Sequence, residues 1–153
     1  MSCNSLYYMD KQTGNTDREG LTAIWKAKHI TVSIECKPEE IYHFVRTPEN
    51  SPKWLASFCL SVHVDADGWI IETEEGPMRF QFCERNEYGV LDHVVTLATG
   101  QQILNPMRVI PNGTGSEVLF TLYKRPEQTE EQFLQDASNV ENDLHLLKQV
   151  LEQ

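Results

Sequence analysis

The sequence has no CxxC pair and no HxxxH or HxH spacing among its five histidines. It also has no apolar run near the roughly 18 residues that a membrane-spanning helix needs. Each absence closes off a class. Without paired thiols or clustered imidazoles, neither a zinc site nor a disulfide frame is expected. Cys3, Cys36, Cys59 and Cys83 read as reduced thiols of a cytoplasmic protein. Met1 to Gly20 is mostly polar and offers no secretory apolar core. Basic charge is scarce: 13 Lys and Arg stand against 23 Asp and Glu, a net charge of −10. Such a surface repels nucleic-acid phosphates and anionic lipid heads, so neither is expected as a partner. A nucleophile elbow, a phosphate loop and a nucleotide fingerprint are all missing, and no cofactor is expected.

What is present is enough for one globular domain. Over 153 residues, 40% are hydrophobic and 24% charged, which supports a real core. Residues 1–22 are rich in Asn, Asp, Thr and Gly and read as a flexible tail, with Leu6, Tyr7, Tyr8 and Met9 its one apolar cluster. Residues 23–153 form the domain.

Ile30, Val32 and Ile34 alternate with polar residues, the mark of a half-buried strand. Pro38, Glu39 and Glu40 then open a helix whose apolar face is Ile41, Phe44 and Val45. Thr47-Pro48 stops it, and a second short helix is expected at Trp54 and Leu55. Six strand-like runs follow: Phe58 to Asp65, Trp69 to Glu74, Met78 to Arg85, Val90 to Ala98, Gln102 to Ile110 and Ser116 to Lys124. Asp67-Gly68 and Asn112-Gly113 between them suit tight hairpins, so the runs predict an antiparallel meander. Thr129 and Gln132 fit a capping box. Beyond it Phe133, Ala137, Val140, Leu144, Leu147 and Leu151 form a single apolar stripe. Asp136, Glu141, Asp143 and Lys148 fall off it and are expected in water. The segment from Pro126 to Gln153 carries seven acidic residues against one basic residue, Lys148. An ordinary solvated helix face accounts for that charge.

The order strand, two helices, meander and long terminal helix resembles the START-like (SRPBCC) superfamily. The opening Ile34 to Val45, followed by Pro48-Glu49-Asn50 and Trp54, resembles the superfamily's start. The runs Gly89 to His93, Asn105 to Val109 and Gly115 to Leu122 resemble its polyketide cyclase/dehydrase-like branch. The resemblance spans residues 28–152. It implies an α+β helix-grip fold: a seven-stranded antiparallel sheet, two short helices after the first strand, and the C-terminal helix packed across the sheet. It also implies a cavity between sheet and helix for a lipid-, sterol- or polyketide-like molecule.

Strand parity indicates which residues line such a cavity. Met78, Phe80 and Phe82 share one face, His93 lies among Leu91, Val95 and Leu97, and Asn105 and Met107 follow in the next strand, provided Pro106 adds no bulge. Trp54 closes one end. Each of these also suits an ordinary core position. His93 can orient a ligand or, as in a cyclase-type enzyme, act as general acid/base. A buried histidine bonded to backbone is the plainer alternative. Arg79 and Arg108 fall on the outer face, where Asp92 or Glu72 can balance them. Ala137 is the smallest residue of the helix stripe. The cavity is therefore expected beside it, with Leu144 and Leu147 as its floor, and Ala137→Leu is expected to fill empty space cheaply. The partner expected is a small hydrophobic molecule, without membrane insertion. A homodimer stays open, and chaperone-activating relatives of the superfamily make protein interaction a third reading.

Overall fold

The structure, a computed structural model, describes residues 24–153. The tail expected over residues 1–22, Leu6 to Met9 and Cys3 lie outside the described residues. The first strand is β1 (Ala27–Ile34), with Ile30, Val32 and Ile34 buried and their neighbours exposed. Helix α1 (Pro38–Val45) starts at its proline and buries Ile41, Tyr42 and Val45. A 3-10 turn (Pro48–Asn50) leads into the short α2 (Ser51–Trp54). Then come β2 (Ser61–Asp65), β3 (Gly68–Thr73), β4 (Gly76–Phe82), β5 (His93–Thr96), β6 (Gln102–Asn105), β7 (Met107–Asn112) and β8 (Gly115–Tyr123). Helix α3 (Glu130–Leu151) ends the described chain.

The strands form two antiparallel sheets, not one of seven strands. The larger runs β2-β3-β4-β5-β6 and the smaller β1-β8-β7. Pro106 divides them. It lacks an N–H and cannot sit in a continuous ladder, so the expected strand from Gln102 to Ile110 breaks there. Its first half pairs with β5 and its second half with β8. The Pro106 carbonyl is still used, accepting the Thr121 N–H at 2.9 Å. The partner run breaks at the matching place. Val90 bridges Arg108, the Leu91 N–H reaches the Met107 carbonyl at 2.9 Å, and β5 resumes only at His93.

Asp92 fills the gap. Its Oδ1 accepts the Met107 N–H at 2.9 Å, and Arg108 donates to the same carboxylate through Nε at 3.1 Å and Nη2 at 2.7 Å. The carboxylate is fully buried while the arginine keeps one side in water. Arg108 is thus balanced by Asp92 as expected, although Asp92, expected on the outer face, is buried. Arg79 pairs with Asp65 instead of Glu72, at 2.7 and 2.9 Å.

Helix α3 begins with the expected capping box. Gln132 N–H donates to Thr129 Oγ1 at 3.1 Å, and Thr129 N–H to Gln132 Oε1 at 2.9 Å. The helix lies across β1 and reaches α2. Phe133, Ala137, Leu144 and Leu147 are buried along it. Asp143, expected in water, is buried as well.

Two outcomes follow for stability. Leu147→Ala should cost about 2–5 kcal/mol, because a fully buried side chain leaves a void. Asp92→Ala should cost about 1–3 kcal/mol, since it leaves the buried Met107 N–H without its acceptor and removes the carboxylate beside a half-exposed guanidinium. Asp92→Asn, which keeps an acceptor for Met107, should cost less. Denaturant unfolding of the three variants measures all of these, and equal costs for the two Asp92 substitutions would show that the bond to Met107 contributes nothing.

Candidate functional site

Between the curved sheets and α3 lies a cavity of about 530 Å3. β4 contributes Met78, Phe80 and Phe82, β5 His93 and Val95, and β6 and β7 Ile103, Asn105 and Met107. Side-chain alternation puts them on one face, and the break at Pro106 does not reverse it: Asn105 and Met107 still point the same way. Trp54, at the end of α2, lines the cavity too. Met78, Phe80, Phe82, His93, Asn105, Met107 and Trp54 therefore meet in one place, as expected, whereas Leu91 and Leu97, expected beside His93, do not line the cavity.

Ala137 does not join them. It is buried but absent from the cavity wall, and Leu147 is absent as well. A methyl side chain leaves no room when the helix backbone can settle closer to the sheet. The stripe of Phe133, Ala137, Leu144 and Leu147 is the face that docks in the core. The cavity meets the adjoining edge of the helix instead: Asp136, Asn139, Val140, Asp143 and Leu144. Ala137→Leu should accordingly overpack the core.

His93 is 5% exposed and held among aromatic rings. Phe80 stacks on it at 5.4 Å between centroids, Phe82 lies at 5.1 Å and Phe120 at 6.0 Å. Its Nδ1 lies 2.9 Å from the Leu91 carbonyl oxygen. A carbonyl can only accept, so the proton sits on Nδ1 and the neutral ring presents Nε2 as an acceptor. Nε2 has no hydrogen-bond partner among the described residues. Burial pushes the imidazole pKa below its usual value, against the Leu91 bond and the Asp92 charge. His93 is therefore neutral near pH 7. Asn105 stands opposite it in the β5–β6 register.

Asp143 is the polar group that sequence reasoning missed. Its carboxylate accepts Ser57 N–H at 3.2 Å and the Ser57 hydroxyl at 2.7 Å, tying the 55–60 loop to α3. Burial raises its pKa to about 6, with the Ser57 bonds opposing. The signal was in the spacing. Asp143 lies three residues after Val140 and four before Leu147, on the margin of the apolar stripe. Phe58, Phe120 and Leu122 also line the cavity and were not singled out.

No group of three or more metal-ligating side chains occurs among the described residues. Among them, too, no helix is long and apolar enough to cross a membrane.

The raised Asp143 pKa sets a pH dependence. The folded state holds this proton more tightly than the unfolded chain, so the penalty for ionising Asp143 is absent below about pH 4 and complete above about pH 6. His93 works the other way, its lowered pKa removing stability as pH falls below the usual histidine range. Asp143→Asn should therefore gain stability relative to the parent as pH rises from 4 to 7.5. Thermal unfolding of both proteins across that range checks it, and a constant difference would refute the assignment.

No protein-family model and no curated protein matches the sequence. Solved structures do match in shape. A START superfamily protein from Mycobacterium smegmatis superposes with a TM-score of 0.62 at 14% identity, over 83% of this chain and 97% of that one. The Aha1 dimer from Colwellia psychrerythraea gives 0.66 at 16% identity, over 83% and 96%. DynU16, a protein in the dynemicin biosynthetic locus, gives 0.66 at 11%, over 83% of this chain and 47% of that one. In fold, the chain is START-like.

Proposed function

We propose that this chain binds a small hydrophobic molecule in the cavity between its sheets and α3. The carrying observation is the wall itself. Aromatic and aliphatic side chains from β4 to β8 line a cavity of about 530 Å3, and His93, Asn105 and Asp143 are buried or half-buried polar groups set among them. A mostly apolar cavity of a few hundred Å3 with a few placed polar groups is how small-molecule sites are built. The START-like fold of the solved structures supports the same reading.

A second reading is a cyclase/dehydrase-type enzyme in which His93 acts as general acid/base. The unpartnered Nε2 of a neutral imidazole favours it, because that atom can take a proton from a bound molecule while Leu91 holds the ring.

Native mass spectrometry of freshly purified protein tests the first reading. A small molecule should remain bound in the gas phase and leave on denaturation. A bare chain that also takes up no added apolar probe would overturn it. The second reading predicts that His93→Gln lowers turnover of the co-purified molecule by about 100-fold or more. Unchanged turnover would leave His93 an orienting contact alone.

A further inference from the structure

The charge of the cavity lining is one-sided. Asp143 and Asp136 face it from α3, and Glu74 and Glu75 stand at its mouth from the β3–β4 turn. One formal cation, Arg125 from beyond β8, is there to answer them, and its Nε is already held by Glu127 at 2.8 Å. His93 on β5 is neutral and presents an acceptor. Asp143 is 5% exposed, and Ser57 is its one hydrogen-bond partner among the described residues, so its charge meets no cation there. The indole N–H of Trp54 is buried without a partner, a single neutral donor beside four carboxylates. Asn105 can donate or accept and favours neither sign.

A fatty acid or a phosphate ester would bring a second anion against these carboxylates inside a low-dielectric space. A cation brings the missing partner, and its hydrogen bonds to a carboxylate are stronger than those of a neutral donor. We propose that the molecule bound here is an apolar amine, its ammonium group seated on the Asp143 carboxylate and its hydrophobic body packed among the rings around His93. The proposal rests on the ligand-binding reading above and names the class of ligand. The high pKa of Asp143 agrees with it: an ionised carboxylate that is costly alone becomes favourable once an ammonium arrives.

The test compares three probes with one apolar body: naphthylmethylamine, naphthalenemethanol and naphthoate. Each is titrated calorimetrically into the full chain. The amine should bind about tenfold tighter than the alcohol at about pH 7.5, with naphthoate weakest. Asp143→Asn should erase the amine's advantage and leave the alcohol unchanged. If the alcohol matches the amine, or naphthoate exceeds it, the amine proposal falls and the cavity reading stands. If an advantage for the amine survives Asp143→Asn, the role of Asp143 falls. If none of the three binds, the cavity reading falls, and the amine with it.

A second measurement does not depend on the variant folding. In the parent protein, the amine's advantage over the alcohol should shrink as pH drops from about 7.5 to about 5, because Asp143 takes up its proton in that range. The other titratable or charged groups lining the cavity are Cys59, His93, Arg125, Asp136, Glu74 and Glu75. A constant advantage across this range would overturn the proposal.

Discussion

Pro106 has no N–H to give, and the carboxylate of Asp92 makes good the ladder at that point. It accepts the Met107 N–H and is gripped by Arg108, so the chain changes neighbours without leaving a bare polar group inside. Everything around the cavity depends on this joint. Upstream of it, β6 continues the larger sheet beside His93, and downstream β7 joins the smaller sheet under α3. Gly89 lets the partner run pass closely: its φ is +71°, and a Cβ there would lie 2.1 Å from the Val109 carbonyl oxygen. Two sheets meeting at such a joint curve around a space that one flat sheet would leave open to solvent.

The cavity then sets the chemistry of the groups facing it. Loss of water acts on His93 and Asp143 in opposite directions on the pH scale and to the same end. The imidazole is kept neutral, and the carboxylate, its pKa raised to about 6, is ionised at about pH 7.5 only at a cost. One backbone carbonyl fixes which nitrogen of His93 faces inward, and one serine fixes the Asp143 carboxylate. The neutral imidazole carries no ionic desolvation cost, whereas the ionised Asp143 carboxylate does, and the Ser57 bonds offset only part of it.

Local rules read directly from the sequence covered much of the molecule. Period-two alternation placed Ile30, Val32 and Ile34 inward, and Phe80, Phe82 and His93 on one face, because a strand's side chains must alternate. Thr129 and Gln132 announced the start of α3 through bonds that span only three residues. The small basic complement and the absence of metal-ligand spacing were compositional and needed no fold. Parity matched Arg108 with Asp92, but the outer-face position held only for Arg108, which is half-exposed, and not for Asp92, which is buried.

What only the tertiary structure decided were relations between elements far apart in the chain. A missing N–H at Pro106 warns of a break, but which strands lie on either side depends on how β5 and β8 are placed. The stripe of α3 told which residues would be buried and not which would touch a void. Ala137 met packed core because a small side chain permits a close approach, and the helix took it. Asp143 looked like a solvated acid until the 55–60 loop, 86 positions away through Ser57, folded over it. Periodicity follows from the backbone of one segment; burial of an edge residue and the shape of a cavity follow from the packing of several.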